Sequence, residues 1–390
     1  MSLSALFSLP SLPGAGQTLS LAGAHGCARA LVSISLARAH AGPVLVVTPD
    51  ILSAERVRAE LEVFADGLPV QMLPDWETLP YDHFSPYQDI ISERLAVLAG
   101  LPALRDGLLV VALSTLMQRL GDRRWLLGNS VQLKVGQNFD RDAFVERLVE
   151  GGYQSVSQVV EHGEFAIRGA ILDLFPMGQG SPLRIELFDD EIEALRQFDA
   201  ETQRTTEQVE SVSILPAREL PLSKPDRSAF QRRWFARFPD STSAVAMLDD
   251  VMNGLTPGGI EYYLPLFFER TETLFDYLPE NTLIVDSEHA LAHAAEGYAH
   301  IEERHETLRY DISRPILDPQ EIALTPAELD TRLGAYGRVR VAGLDTDPKA
   351  EKLPAHAPLT LAIDARAQEP LAPVHRHLAN ATGRVLFVVE

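Results

Sequence analysis

LSLAGAHGCARALVSISLARAHAGPVLVVTPDILSAERVRAELEVFA, residues 19–65, decides the fold class. A short apolar run gives way to a helical stretch, GCARALVSISLARAH, then to PVLVVTPD, then to a second helical stretch, ILSAERVRAELEVFA. This βαβα rhythm continues to about residue 120. The run GLLVVAL at 107–113 has helical patterns on both sides, and continuous apolar strands of that kind suit a parallel sheet covered on both faces. The first part of the chain reads as α/β.

Outward from there the rhythm changes. Around residue 130 the segments FAIRGAILDLF, SPLRIELFDDEIEALRQF and TTEQVESVSILPA read as successive strands separated by turn signals, which predicts antiparallel pairing. In LRIELF the residues Leu183, Ile185 and Leu187 alternate with Arg184, Glu186 and Phe188, so one face packs inward and the other meets solvent. Asp189 and Asp190 supply the turn. From about 216 to 345, proline-punctuated helices such as SAFQRRWFARF and SEHALAHAAEGYAHIEERHETL return with the strand TLIVD, again α/β. After a linker, the strand LTLAI, the helix LAPVHRHLANA and the strand RVLFVVE read as the start of a further small α/β domain that continues beyond residue 390.

The whole is expected to be a multidomain α/β protein: a parallel α/β domain in two parts, an inserted mainly antiparallel α+β domain, and the beginning of another. The boundaries fall at 1–125, 126–213, 214–345 and 346–390. With 390 residues and 46% hydrophobic content there is material for several cores. No apolar run approaches the roughly 20 residues that span a bilayer, so no membrane contact is expected. The N-terminus lacks the basic residue of a secretory signal, and a single cysteine, Cys27, suits a reducing compartment, so a cytoplasmic location is expected. A net charge of −21 argues against a surface for direct nucleic-acid binding, which needs clustered Lys and Arg.

One phosphate-handling motif is present in degenerate form. Gly23-Ala24-His25-Gly26-Cys27-Ala28-Arg29-Ala30 follows a strand and opens a helix, where a P-loop belongs. A working loop needs Lys on the terminal phosphates and a Ser or Thr hydroxyl on magnesium. Arg29 and Ala30 stand in those places, so no ATP hydrolysis and no cofactor are expected; the glycine turn could attract an incidental anion. His289 and His293, four apart on a helix, suggest a metal pair but lack a third ligand at a recognised spacing; His300 and His305 do not improve it. Asp75, Glu77, Asp82 and Asp89 cluster around Trp76 and Tyr81 among prolines, which reads as an ordered loop packed by aromatics rather than as an acid/base pair. No catalytic residue and no metal site are assigned.

Two stretches carry a resemblance. LPDWETLPYDHFSPYQDIISERL at 73–95 and EHGEFAIRGAILDLFPMGQGSPLRIELFDDEIEALRQFDAETQRT at 161–205 resemble the signature segments of the bacterial transcription-repair coupling factors, as does GIEYYLPLFFE at 259–269. The resemblance implies a module similar to the excision-repair protein UvrB: domain 1a, an inserted domain 2, domain 1b, then domain 3. UvrB has an intact P-loop and a DNA-clamping β-hairpin; here the loop is degenerate and the PYDHFSPYQDI connection is too short for such a hairpin.

What the resemblance implies is a non-catalytic module whose domain 2 binds the damage-recognition protein UvrA, through Arg168 of FAIRG, Arg184 of LRIELF and Phe188, which closes that strand. It further implies that C-terminal domains of the full-length protein mask this face. RNA polymerase, DNA and ATP-driven translocation belong to domains outside this sequence. Independently of family, Arg184 and Phe188 share strand parity, and Arg with an aromatic is the pairing that dominates interface hot spots. The residues alone leave another reading open: Phe188 tucked under its own hairpin, with the two arginines paired to Glu186 or Glu191. The competing function is a nucleic-acid-dependent ATPase or helicase fragment, against which Arg29 and Ala30 speak.

Overall fold

The computed structural model describes residues 11–240, 245–287, 289–343, 348–354, 361, 363, 366–383 and 385. The expected strands LTLAI and RVLFVVE fall largely outside the described residues; the helix between them is present as Ala372–Asn380.

The first sheet is built from β1 (Thr18–Ala22), β2 (Val44–Thr48), β3 (Val70–Met72), β4 (Leu108–Ala112), β13 (Leu283–Asp286), β14 (Gly337–Ala342) and β15 (Glu351–Lys352), in the order β15-β1-β14-β13-β2-β4-β3. Every neighbouring pair is parallel. β2 and β4 are buried along their whole length, the outcome expected for apolar runs covered on both faces. Helices α1 (Ala28–Ala39) and α2 (Ile51–Phe64) cover one face, and the side chain of Asp50 caps α2 by accepting from the Ser53 N–H at 2.7 Å. Residues from both sides of the intervening segment complete this sheet, as the two-part reading expected.

The second sheet has the order β11-β10-β9-β8-β7-β6, from β6 (Gln154–Ser155), β7 (Glu164–Arg168), β8 (Ile171–Leu174), β9 (Leu183–Phe188), β10 (Glu191–Phe198) and β11 (Thr205–Val209). It is antiparallel except for the short β6–β7 pair. The chain enters and leaves it side by side, through the antiparallel ribbon of β5 (Val131–Lys134) and β12 (Ser211–Ile214). One helix in this unit, Arg141–Glu150, is absent from the strand-based reading; Asp140 caps it, and Phe144 and Leu148, one turn apart, bury its inner face.

A single apolar cluster runs from Leu45, Val47 and Ile284 on the first sheet to Leu172, Ile185 and Leu195 on the second, so the inserted unit shares a core with its host. Helix α3 (Gln88–Gly100) lies at that junction, with Ile91, Leu95 and Leu98 in the shared core. Polar ties reinforce it: the Gly178 N–H donates to Ser92 Oγ at 2.8 Å, and His162 meets Asp89 at 2.7 Å. A third core is aromatic, with Phe230 and Trp234 of the helix Lys224–Arg237 against Tyr263 and Phe267. Among the described residues no helix is long and apolar enough to cross a membrane.

Candidate functional site

The outer face of the second sheet brings the three expected binding residues together. Across four strands Ala166 lies opposite Asp173, Asp173 opposite Arg184, and Arg184 opposite Arg196; in the next row Arg168 lies opposite Ile171, Ile171 opposite Glu186, and Glu186 opposite Ala194. Directly opposed side chains share a face. Arg168 and Arg184 therefore stand on the same face, joined by Phe188 two residues beyond Glu186. The opposite face carries Phe165, Leu172, Leu183, Ile185, Ile192 and Leu195 into the shared core. A bulge in β10 between Ile192 and Ala194 preserves this division.

The three residues differ in what they can offer. Phe188 is 69% exposed at the end of β9, beside Asp189 with its φ of 50°, so it does not tuck under the hairpin. Arg168 is exposed at the tip of the β7–β8 hairpin, where Gly169 takes a φ of 62°, and its Nη2 donates to the Ser157 carbonyl at 2.7 Å. Arg184 is largely committed inside the protein. Its Nε and Nη2 donate to Asp173 at 2.7 and 2.9 Å, and its guanidinium lies 5.0 Å over the ring of Phe198. Its side chain is 16% exposed, and the hydrogen bond it donates to Asp173 raises its pKa.

Neither Glu186 nor Glu191 takes an arginine in the way the residue-only alternative supposed: Arg184 uses Asp173, and Glu186 pairs with Arg196 at 3.2 Å. Asp173 and Arg196 went unread from the sequence. The signal for the first was an acidic residue inside the apolar strand ILDL, which calls for a cation or hydrogen-bond donors from a neighbouring strand.

At the degenerate P-loop, β1 ends at Ala22 and the chain turns through Gly23 (φ 86°) and Gly26 (φ 55°) into α1. Ala30 is fully buried and brings no hydroxyl. Arg29 is turned back onto the sheet: its Nη2 donates to the Val47 carbonyl at 3.0 Å, and burial lowers its pKa against the opposing pull of Asp286. Asp286, at the end of β13, is buried and ion-paired with Arg338; burial raises its pKa, and the Arg338 hydrogen bond opposes that. The guanidinium is thus part of an internal charge group.

The other constellations give no reactive arrangement. The rings of His289 and His293 meet edge to face at 6.4 Å, and His293 lies 3.7 Å from Glu296. Among the described residues no cluster of three metal-ligating side chains occurs. The acidic loop is ordered as expected: Asp75 Oδ2 accepts from Ser114 and Thr115 at 2.8 and 2.7 Å, while Trp76 and Tyr81 are buried against Tyr262.

Comparison with known proteins places these features. Residues 131–220, which begin with β5 and run just past β12, match the model of the UvrB interaction domain. The transcription-repair-coupling factor of Escherichia coli (strain K12) is 41% identical over 384 residues, 96% of this chain and 33% of that protein. The Haemophilus influenzae transcription-repair-coupling factor is 39% identical over 349 residues, 89% of this chain and 30% of its own length. That of Myxococcus xanthus is 35% identical over 276 residues. The chain spans about a third of the length of these first two relatives. A likeness of this extent, with the domain match bounded by the β5–β12 ribbon, means that the chain belongs to the transcription-repair-coupling-factor family, as a module bearing a UvrB interaction domain.

Proposed function

We propose that this chain is a non-catalytic recruitment module that binds UvrA through the outer face of its second sheet. The observation that carries the reading is the common face of Arg168, Arg184 and Phe188, with a large aromatic left in solvent at its rim. Exposed aromatics beside guanidinium groups are the residue types that dominate protein interfaces. Asp173 holds Arg184 in place, so that part of the surface is preorganised and little side-chain entropy is lost on binding.

The division into 1–125, 126–213, 214–345 and 346–390 accompanies this reading, with 126–213 as the UvrA-binding unit. C-terminal domains of the full-length protein mask the face at rest, and RNA polymerase and DNA are met through those other domains in the cytoplasm. Arg29 and Ala30 at the loop speak for the absence of ATP turnover and of a resident cofactor. The test is capture of purified UvrA by the immobilised chain: retention of UvrA supports the proposal, and failure to retain it at micromolar concentration overturns it.

A further inference from the structure

Arg196 stands directly opposite Arg184 across β9 and β10, on the outer face of the second sheet. Like charges placed directly opposite one another weaken a strand pair. For Arg184 the fold supplies the compensation: Asp173 accepts from its Nε and Nη2, and its guanidinium lies over the ring of Phe198. Arg196 has no such seat. Its Nε alone reaches Glu186, at 3.2 and 3.3 Å from the two carboxylate oxygens, and the two side chains are 39% and 30% exposed. A half-exposed pair of that kind adds little to stability. On β11 the residue opposite Arg196 is the neutral Gln208. Folding therefore does not account for a second arginine at this position, and a local rule broken without structural gain is the mark of a functional site.

The three guanidinium groups of the face differ in what they leave unused. Arg168 gives its Nη2 to the Ser157 carbonyl, and Arg184 gives Asp173 the paired edge of Nε and Nη2. Among the described residues neither Nη nitrogen of Arg196 donates to any group, and both stay within reach of solvent. That leaves the Nη1–Nη2 edge, whose parallel N–H bonds match the two oxygens of a carboxylate. Glu186 restrains the Nε side, so part of the ordering is done before a partner arrives.

We propose that Arg196 is a fourth contact residue of this face and that its free edge takes a carboxylate of UvrA in a bidentate pair. The inference rests on the UvrA reading of the outer face and adds the chemistry of the group that UvrA presents there.

Calorimetric titration of UvrA with the unaltered chain, Arg196→Gln and Arg196→Lys is the test. Arg196→Gln should bind about tenfold or more weaker, as the loss of one member of a charge pair at an interface entails. Arg196→Lys keeps the charge and can still meet Glu186 but lacks the paired edge, so its affinity should fall between the other two. A residue that served only to hold Glu186 would not show that difference. Arg196→Gln should not lower the Tm, because it relieves the opposition to Arg184. Binding of Arg196→Gln or of Arg196→Lys as tight as that of the unaltered chain overturns the inference, and the Lys comparison stands even if the Gln variant fails to fold. Phe188→Ala in the same titration separates the inference from the reading beneath it. If Phe188→Ala weakens binding and Arg196→Gln does not, only the inference about Arg196 falls; if UvrA does not bind the unaltered chain, both fall.

Discussion

Arg94 and Glu219 form an ion pair sealed from solvent where the two sheets meet. Arg94 Nε donates to Glu219 Oε1 at 2.6 Å and Nη2 to Oε2 at 3.4 Å, with Arg94 0% and Glu219 6% exposed. Arg94 lies on α3, and Glu219 on the segment leaving the inserted unit. The Trp76 indole N–H donates to the same carboxylate at 3.3 Å, and Arg94 Nη1 reaches the Pro74 carbonyl at 2.6 Å.

Breaking such a pair leaves one buried charge uncompensated, whereas replacing both partners does not. Arg94→Met and Glu219→Met are each expected to destabilise the protein by about 3–5 kcal/mol, and Arg94→Met/Glu219→Met by clearly less than the sum of the two. Urea denaturation of the two single variants and the double variant decides. Additive losses would show that the pair acts only as two packed side chains.

Arg29 carries the second prediction. Its hydrogen bond to Val47 and its place beside Asp286 commit the charge that a P-loop would turn to phosphate. Titration with Mg-ATP should give no saturable heat at micromolar nucleotide, and no phosphate should be released. Arg29→Ala should instead lower stability by about 1 kcal/mol, from the lost hydrogen bond. Micromolar ATP affinity, or turnover that Arg29→Ala abolishes, would refute the reading.

A third prediction concerns acid stability. Glu328 accepts from the Thr325 N–H at 2.9 Å and from Arg119 at 3.0 Å. Burial pushes its pKa up, but the Thr325 N–H and Arg119 hold it below the ordinary value of 4.5. A carboxylate whose folded pKa is depressed contributes stability above its unfolded pKa and loses it as the pH falls through the folded one. Glu328→Gln should therefore cost stability at pH 7, by less than about 1 kcal/mol at this exposed position. The gap should begin to close below about pH 4.5 and vanish in stronger acid. Denaturant midpoints between pH 7 and pH 3 test it; a gap independent of pH would assign the loss to capping geometry instead.

Local pattern made much of the fold legible. The periods of α1, α2 and the apolar runs of β2 and β4 are written in contiguous residues, and so is the parity of Arg184 and Phe188. The partners were not legible, because they come from other strands. Asp173 meets Arg184 only through the β8–β9 register, and Glu219 meets Arg94 across 125 residues. The helix Arg141–Glu150 is different: Phe144 and Leu148, and Val145 and Val149, stand four apart behind the cap Asp140, a helical signal in contiguous residues that the strand-based reading passed over.

The last prediction separates the three residues of the outer face. Phe188 is solvent-exposed, so Phe188→Ala should leave stability within about 0.5 kcal/mol of the unaltered chain. If it anchors UvrA, the same change should cost on the order of 1–3 kcal/mol of binding. Arg168→Ala should behave similarly, since the hydrogen bond it donates to the Ser157 carbonyl is an exposed one. Arg184→Ala should differ, because it strands Asp173, 1% exposed, without its cation and removes the cover from Phe198. A loss of about 3 kcal/mol or more in stability is expected there, alongside any loss of binding. Replacing Asp173 as well, in Asp173→Asn/Arg184→Gln, should recover much of the stability while removing the guanidinium, so its UvrA affinity reports what Arg184 contributes to the contact itself. Melting curves and UvrA capture on the same four proteins, with Glu207→Ala as a control in the exposed strand β11, make the test. If Phe188→Ala and Arg168→Ala both capture UvrA as the unaltered chain does, the outer face is not the binding surface.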